Sequence, residues 1–199
     1  MKSHLHSIKY SIKYSIKLTV LTLAAVGLSL SLGGNIAQAG ETTIRGRNGR
    51  TGTINTNVNR QNNRLNYDRQ ITYPNGRNAN STGEFIGDRN GNYKGNVTRT
   101  NVNGKSNNYF VEGTRTRTNG TRTNDAVITG PNQNQATFNS SSTCNSGSCT
   151  GNRSLTYPNG KTRTTTLTGE RVAPGEYSGD VNVTGRNGRT RSGEFYHRR

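Results

Sequence analysis

The stretch Leu65-Asn66-Tyr67-Asp68-Arg69-Gln70-Ile71-Thr72-Tyr73-Pro74-Asn75-Gly76-Arg77 holds one strand and the turn that closes it. Leu65, Tyr67, Arg69, Ile71 and Tyr73 share one parity, while Asn66, Asp68, Gln70 and Thr72 share the other. That period-two alternation is the mark of a strand with two unlike faces. Tyr73 to Arg77 then suits a type I turn followed by a glycine in the left-handed region, which makes a three-residue hairpin loop. An odd loop preserves parity, so Leu65 is expected to face Phe85 and, one unit later, Val97 to face Tyr109.

The same turn chemistry recurs along the chain. Asn-Gly stands at 48–49, 75–76, 103–104, 159–160 and 187–188, and the last four glycines are separated by 28, 56 and 28 residues. A second series of turns at Asn62-Asn63, Asn90-Gly91, Asn119-Gly120, Ser146-Gly147 and Pro174-Gly175 keeps the same spacing, with positions 63, 91, 119, 147 and 175 falling 28 apart. Two turns per unit mean two strands per unit. Pro74, Pro131, Pro158 and Pro174 all sit at turns, and no helix signal interrupts the pattern. With Asn132-Gln133 standing where an Asn-Gly is due, the expectation is an all-β fold. It is an antiparallel up-and-down meander of about twelve strands in 28-residue two-strand repeats, rolled toward a barrel or an open curved sheet. Closure would bring the first strand, at Ile44, against the last, at Phe195.

Two stretches break step. Strand two carries Ile54 and Val58 on even positions, and strand eight carries Ala136, Phe138 and Cys144 there. The irregular turn Pro131-Asn132-Gln133 is expected to shift the register by one, and the four-residue loop Asn145 to Ser148 to shift it back. Cys144 and Cys149 bracket that loop. In an exported chain they are expected to form a disulfide that pins the correction. Two thiols and His197 fall short of a metal site in the exported part, so no metal or other cofactor is expected.

Export follows from the N-terminus. Lys2, Lys9, Lys13 and Lys17 precede an uncharged, largely apolar run of 15 residues from Leu18 to Leu32, and Ala37-Gln38-Ala39 follows. This is the pattern of a signal peptide over residues 1–39, and the run is short of the ~20 residues of a spanning helix. Residues 40–199 are then a single β-repeat domain that is secreted, whether extracellular, periplasmic or on the cell surface, with no transmembrane helix after cleavage.

Without those four lysines, 23 basic residues face 10 acidic ones, and only Lys94, Lys105 and Lys161 among the 23 are lysines. Charge also sorts by parity: sixteen of the 23 basic residues are odd-numbered and eight of the ten acids are even-numbered. Allowing for the slip in strand two, Arg50 and Arg60 join the odd set. The face that carries Leu, Val and Tyr therefore also carries the arginines, whose planar forks suit phosphate, sulfate and carboxylate. Candidate anion-binding residues are Arg69, Arg99, Arg115, Arg117, Arg153, Arg163, Arg171 and Arg191, interleaved with Tyr67 and Tyr109. In a functional reading this ribbed face grips an anionic polymer such as an acidic polysaccharide, a lipopolysaccharide or a nucleic acid. In a structural reading the arginine stems cover a thin apolar stripe and keep edges from associating. The two are compatible.

Enzymatic signals are weak, and a secreted enzyme stands as the last of the alternatives. Gly-x-Ser-x-Gly, His-Glu-x-x-His and Walker signatures are missing, and the carboxylates of Thr82-Gly83-Glu84-Phe85 and Ser192-Gly193-Glu194-Phe195 repeat with the fold. No small-molecule substrate is indicated. The expected function is a secreted or surface structural or interaction protein that binds anionic polymers without sequence specificity. The architectural rival is an outer-membrane barrel, which would set arginines of the apolar face against lipid at ~2–4 kcal/mol each near the midplane.

Tyr73-Pro74-Asn75-Gly76-Arg77 and Tyr157-Pro158-Asn159-Gly160-Lys161, each set between alternating strands, resemble the YD (RHS) β-repeats of secreted bacterial proteins. More broadly, the region resembles small exported bacterial Asn/Thr/Gly-rich repeat proteins. Either resemblance implies an exported β-repeat architecture and supplies no site residue.

Overall fold

The computed structural model describes residues 36–46 and 48–198. Twelve strands follow one another: β1 (Ile36–Gly46), β2 (Thr51–Gln61), β3 (Arg64–Thr72), β4 (Asn78–Gly87), β5 (Asn92–Thr100), β6 (Ser106–Thr118), β7 (Thr121–Thr129), β8 (Gln135–Asn145), β9 (Ser148–Thr156), β10 (Thr162–Ala173), β11 (Glu176–Thr184) and β12 (Thr190–Arg198). Each pairs antiparallel with its chain neighbours, and β1 meets β12 over Glu41 to Gly46, so the meander closes into a barrel. Ile44 lies opposite Phe195 at the seam.

One hairpin geometry serves one whole end of the barrel. At all six loops there, a glycine or its substitute donates its N–H three residues back, as in Gly76 to Tyr73 O at 2.9 Å, and a second bond closes the loop, as in Tyr73 N–H to Arg77 O at 2.9 Å. The glycine must adopt a left-handed φ, which is +76° at Gly76 and +73° at Gly160. The preceding asparagine accepts from the backbone two residues on, Arg77 N–H reaching Asn75 Oδ1 at 3.2 Å and Lys161 N–H reaching Asn159 Oδ1 at 3.2 Å. This Asx contact is why Asn-Gly recurs at this end.

The Pro131-Asn132-Gln133 turn is of the same kind. Gln133 takes the glycine position at φ +58° and donates to Gly130 O at 3.0 Å. Thr129 and Gln135 face each other across it, so parity is preserved there and the expected shift does not occur at this turn. The shift lies one turn earlier. Asn119-Gly120 is a two-residue loop with both φ positive, at +49° and +78°, and Thr118 pairs with Thr121. An even loop flips parity, so β7 turns Asn124, Ala126 and Ile128 inward, and β8 merely continues that setting. The return is where it was expected: Asn145 pairs with Ser148 around Ser146-Gly147, and Cys144 faces Cys149. The two-residue loop at Asn62-Asn63 explains the slip of strand two, as Gln61 pairs with Arg64. Leu65 opposes Phe85 and Val97 opposes Tyr109.

The apolar parity faces inward. Leu65, Tyr67, Phe85, Val97, Val111, Ala126, Ile128, Phe138 and Leu155 form one buried cluster across β3 to β9. Bulk alternates with its absence: Tyr67 opposes Gly83 and Phe85 opposes Gly95, and a Cβ at either glycine would overlap the facing ring. The Gly-Glu-Phe echo is therefore a packing device, with Gly83 and Phe85 turned inward and Glu84 exposed outside.

Cys144 and Cys149 are disulfide-bonded with Cα atoms 4.1 Å apart. Because the positive φ values at Ser146 and Gly147 already set the two-residue turn, replacing both cysteines with serine is expected to leave the β8–β9 pairing intact. Stability should fall by about 2 kcal/mol at most, the chain-entropy value for so short a loop. Thermal melts give the loss, and amide exchange of β8 and β9 checks the register. Residues 1–35 of the expected signal peptide lie outside the described residues. Ile36 to Ala39 belong to β1 opposite Asn57 to Arg60, whereas pairing with β12 begins at Glu41, beyond the expected cleavage point.

Candidate functional site

Closure turns a charge-sorted sheet into a charge-sorted shell. Glu41, Asp68, Glu84, Glu112, Asp125, Glu170, Asp180 and Glu194 occupy exposed outward positions, Glu176 is half-exposed outside, and Asp88 sits in an exposed loop. The ten residues expected to bind anions all fall on the inward parity of their strands: Tyr67 and Arg69 on β3, Arg99 on β5, Tyr109, Arg115 and Arg117 on β6, Arg153 on β9, Arg163 and Arg171 on β10, and Arg191 on β12. Among the described residues, the inward strand positions carry cations and no carboxylate, and the acids take outward strand positions or, for Asp88, a loop at the rim of one mouth. The arginines thus point into the lumen and not toward whatever surrounds the barrel.

They divide into a waist and two mouths. At the waist Arg69 is 1% exposed, donates from Nε to Thr56 Oγ1 at 2.9 Å and lies 5.9 Å from the centre of the Tyr67 ring. Tyr67 in turn hydrogen-bonds Ser81 through their hydroxyls at 2.9 Å. Burial pushes the Arg69 guanidinium down to about 10. Burial, and then the nearby charge of Arg69, bring Arg153 to about 10 as well. Two like charges in one desolvated layer destabilise each other, so the waist is a reservoir of positive potential.

The mouth at the Asn-Gly end is a cavity of about 760 Å³ whose wall includes Tyr73, Tyr157, Arg163 and Arg191, with Ile44 and Val181 behind them. Arg186 stacks over Tyr157, 4.6 Å from the ring centre. Burial lowers Arg99, and Tyr73, Tyr109 and Tyr157 around it oppose that shift. The opposite mouth, of about 430 Å³, is built from Arg60, Arg115, Arg117, Arg122 and Tyr93. The two cavities share no lining residue and are separated by the packed waist.

The expected residues are therefore not one continuous ribbed face. Arg163 and Arg191 join one mouth, Arg115 and Arg117 the other, and Arg171 stands apart on an exposed rim with its Nε directed to Ala173 O at 3.4 Å. Arg122 was not expected in the lumen, because even positions of strand seven read as outward until the two-residue turn before it is counted. Ala126 and Ile128, apolar on the same parity, are the signal that places it inside. Tyr73, Tyr93, Tyr157 and Arg186 also join the mouths. No family model, no curated protein and no solved structure matches the chain.

Proposed function

We propose that this chain is an exported anion-binding β-barrel, secreted or held at the cell surface, that takes anionic groups into its cationic lumen through the two mouths. The observation that carries the reading is the partition of charge: inward arginines at the waist and both mouths, with all ten acids on the outer wall or in an exposed loop. Folding alone does not call for that partition, since buried cations lower stability and the acids that could neutralise them are spent on the outside. A polysaccharide, lipopolysaccharide or nucleic acid would engage such a molecule by its anionic groups at a mouth and not along a flat sheet face.

Twelve antiparallel strands closed into a barrel also favour a second reading, an outer-membrane barrel. The arginines no longer oppose it, because they face inward. The outer wall does: Thr162, Thr164, Thr166 and Thr168 on β10, with Asn152 on β9 and Asn139 on β8, are exposed where lipid would need an apolar band. Detergent-free solubility of the exported chain is the outcome expected on the first reading, and a requirement for detergent would favour the second.

Binding is tested on immobilised heparin. Retention that weakens steeply as salt rises is expected, because each anionic contact releases counterions. No retention, or retention indifferent to salt, would overturn the anion-binding reading.

A further inference from the structure

The smaller mouth has a geometry that the barrel itself does not require. Arg117 and Arg122 are directly opposed across the β6–β7 pair, next to the Asn119-Gly120 turn. Like charges set opposite each other destabilise a ladder, and threonine pairs occupy the neighbouring outward sites, where Thr116 and Thr123 share a 2.7 Å hydrogen bond. Arg115 stands two residues before Arg117 on the same face. Its Nη1 is buried and has no hydrogen-bond partner. Arg60, only 5% exposed, closes the cluster from β2.

The cavity does include one carboxylate in its wall, but that group is engaged elsewhere. Asp88 accepts from Asn90 N–H at 2.8 Å, Asn92 N–H at 2.8 Å and the Asn92 amide at 2.7 Å, all within its own loop. Tyr93 donates its hydroxyl to Asn124 Oδ1 at 2.7 Å, which orients the ring at the cavity floor. Burial, followed by the charges of Arg122 and Arg60, brings Arg115 down to about 10, in keeping with a crowded cationic cluster.

We propose that Arg60, Arg115, Arg117 and Arg122 form a site for a compact polyanion with two or more adjacent phosphate groups. This rests on the anion-binding reading and narrows it to one mouth and one ligand chemistry. These four guanidinium groups, with Arg89 and the Glu84-paired Arg64 also lining the cavity of about 430 Å³, match a ligand that concentrates several negative charges in a small volume, and a single carboxylate would leave most of that charge uncompensated. The buried Nη1 of Arg115 supplies a donor already desolvated and waiting for an oxygen acceptor. The volume also admits a small ligand or the end of a phosphate chain but not a folded polymer.

Calorimetric titration with inorganic tripolyphosphate, against inorganic phosphate at equal ionic strength, tests this. Tripolyphosphate is expected to bind one per chain at this mouth and far more tightly than phosphate. Arg117→Gln, a change at an exposed rim position, should weaken binding several-fold, and Arg117→Gln with Arg122→Gln by at least about tenfold, from the loss of two charge-assisted contacts. Thermal melts of both variants confirm folding, which removal of an opposed like-charge pair should preserve. The charge-matched pair Arg77→Gln with Lys105→Gln, in loops at the other end, should bind as the unaltered protein does. Equal losses in the two double variants, or an unchanged affinity in Arg117→Gln with Arg122→Gln, would overturn the site while leaving heparin retention to support the wider reading. Absence of both tripolyphosphate binding and heparin retention would remove both.

Discussion

Replacing Arg69 with methionine should make the barrel more stable, by about 1–4 kcal/mol. Methionine follows the path of the arginine stem through the waist, keeps contact with the Tyr67 ring and forgoes the Thr56 hydrogen bond. What it removes is a positive charge at a site 1% exposed and near a second arginine, Arg153. Arg153→Met should stabilise too, but the double variant should gain less than the sum, because each single change already relieves the repulsion between the two. The sign of the pH effect follows from the depressed value of Arg69, about 10. Below that pH the folded protein carries the full penalty of the buried charge, and the gain from methionine is complete. As pH rises past 10, folded Arg69 sheds its proton before the unfolded chain does, and the gain shrinks. Denaturant unfolding at neutral pH and again above pH 10 reads both effects. A large loss of stability in Arg69→Met would mean that the guanidinium serves the fold itself.

Phe85→Ala should act in the opposite direction, costing about 3–5 kcal/mol. The Phe85 ring is buried, sits 6.1 Å from the Tyr67 ring and 5.8 Å from Tyr93, and covers Gly95 on the facing strand. Glycine on one side leaves nothing that could collapse into the space, so the cavity persists. The ring–glycine complementarity is tested cleanly one pair away, at Gly83, where the nearest atoms to an added methyl all belong to the Tyr67 ring. Gly83→Ala should destabilise the barrel, and in a Tyr67→Ala background it should cost much less, because the methyl enters the volume the ring has left. Chemical denaturation of the native protein, the two single variants and the double variant forms a double-mutant cycle, and strict additivity would contradict the account.

Local chemistry made much of this architecture legible in advance. Tyr73-Pro74-Asn75-Gly76-Arg77 carried its turn type in its residues, because a left-handed φ at Gly76 and an Asx contact from Asn75 are local requirements. Strand parity, the Leu65 to Phe85 pairing and the Cys144 to Cys149 bridge followed from counting. Two things did not. Asn-Gly serves both the three-residue loop at Asn75-Gly76 and the two-residue loop at Asn119-Gly120, so the dipeptide alone does not tell whether parity flips. Counting alone therefore sets the flip at Pro131-Asn132-Gln133 and gives no sign that Arg122 faces inward. Nor does alternation say which of two faces encloses the other. Closure is a property of twelve strands together, and it converted a row of arginines into three groups in a lumen.

Thermal unfolding with added tripolyphosphate, compared with sodium chloride at matched ionic strength, is the most direct test of a barrel that holds anions inside. A ligand bound only by the folded state at a hundredfold excess over its dissociation constant stabilises by about 2.7 kcal/mol, which for a domain of this size is a rise of roughly 5–10 °C in Tm. A rise of that order that saturates with tripolyphosphate and is missing with sodium chloride is the predicted result. A Tm that follows ionic strength alone, identical in the two salts, would contradict it.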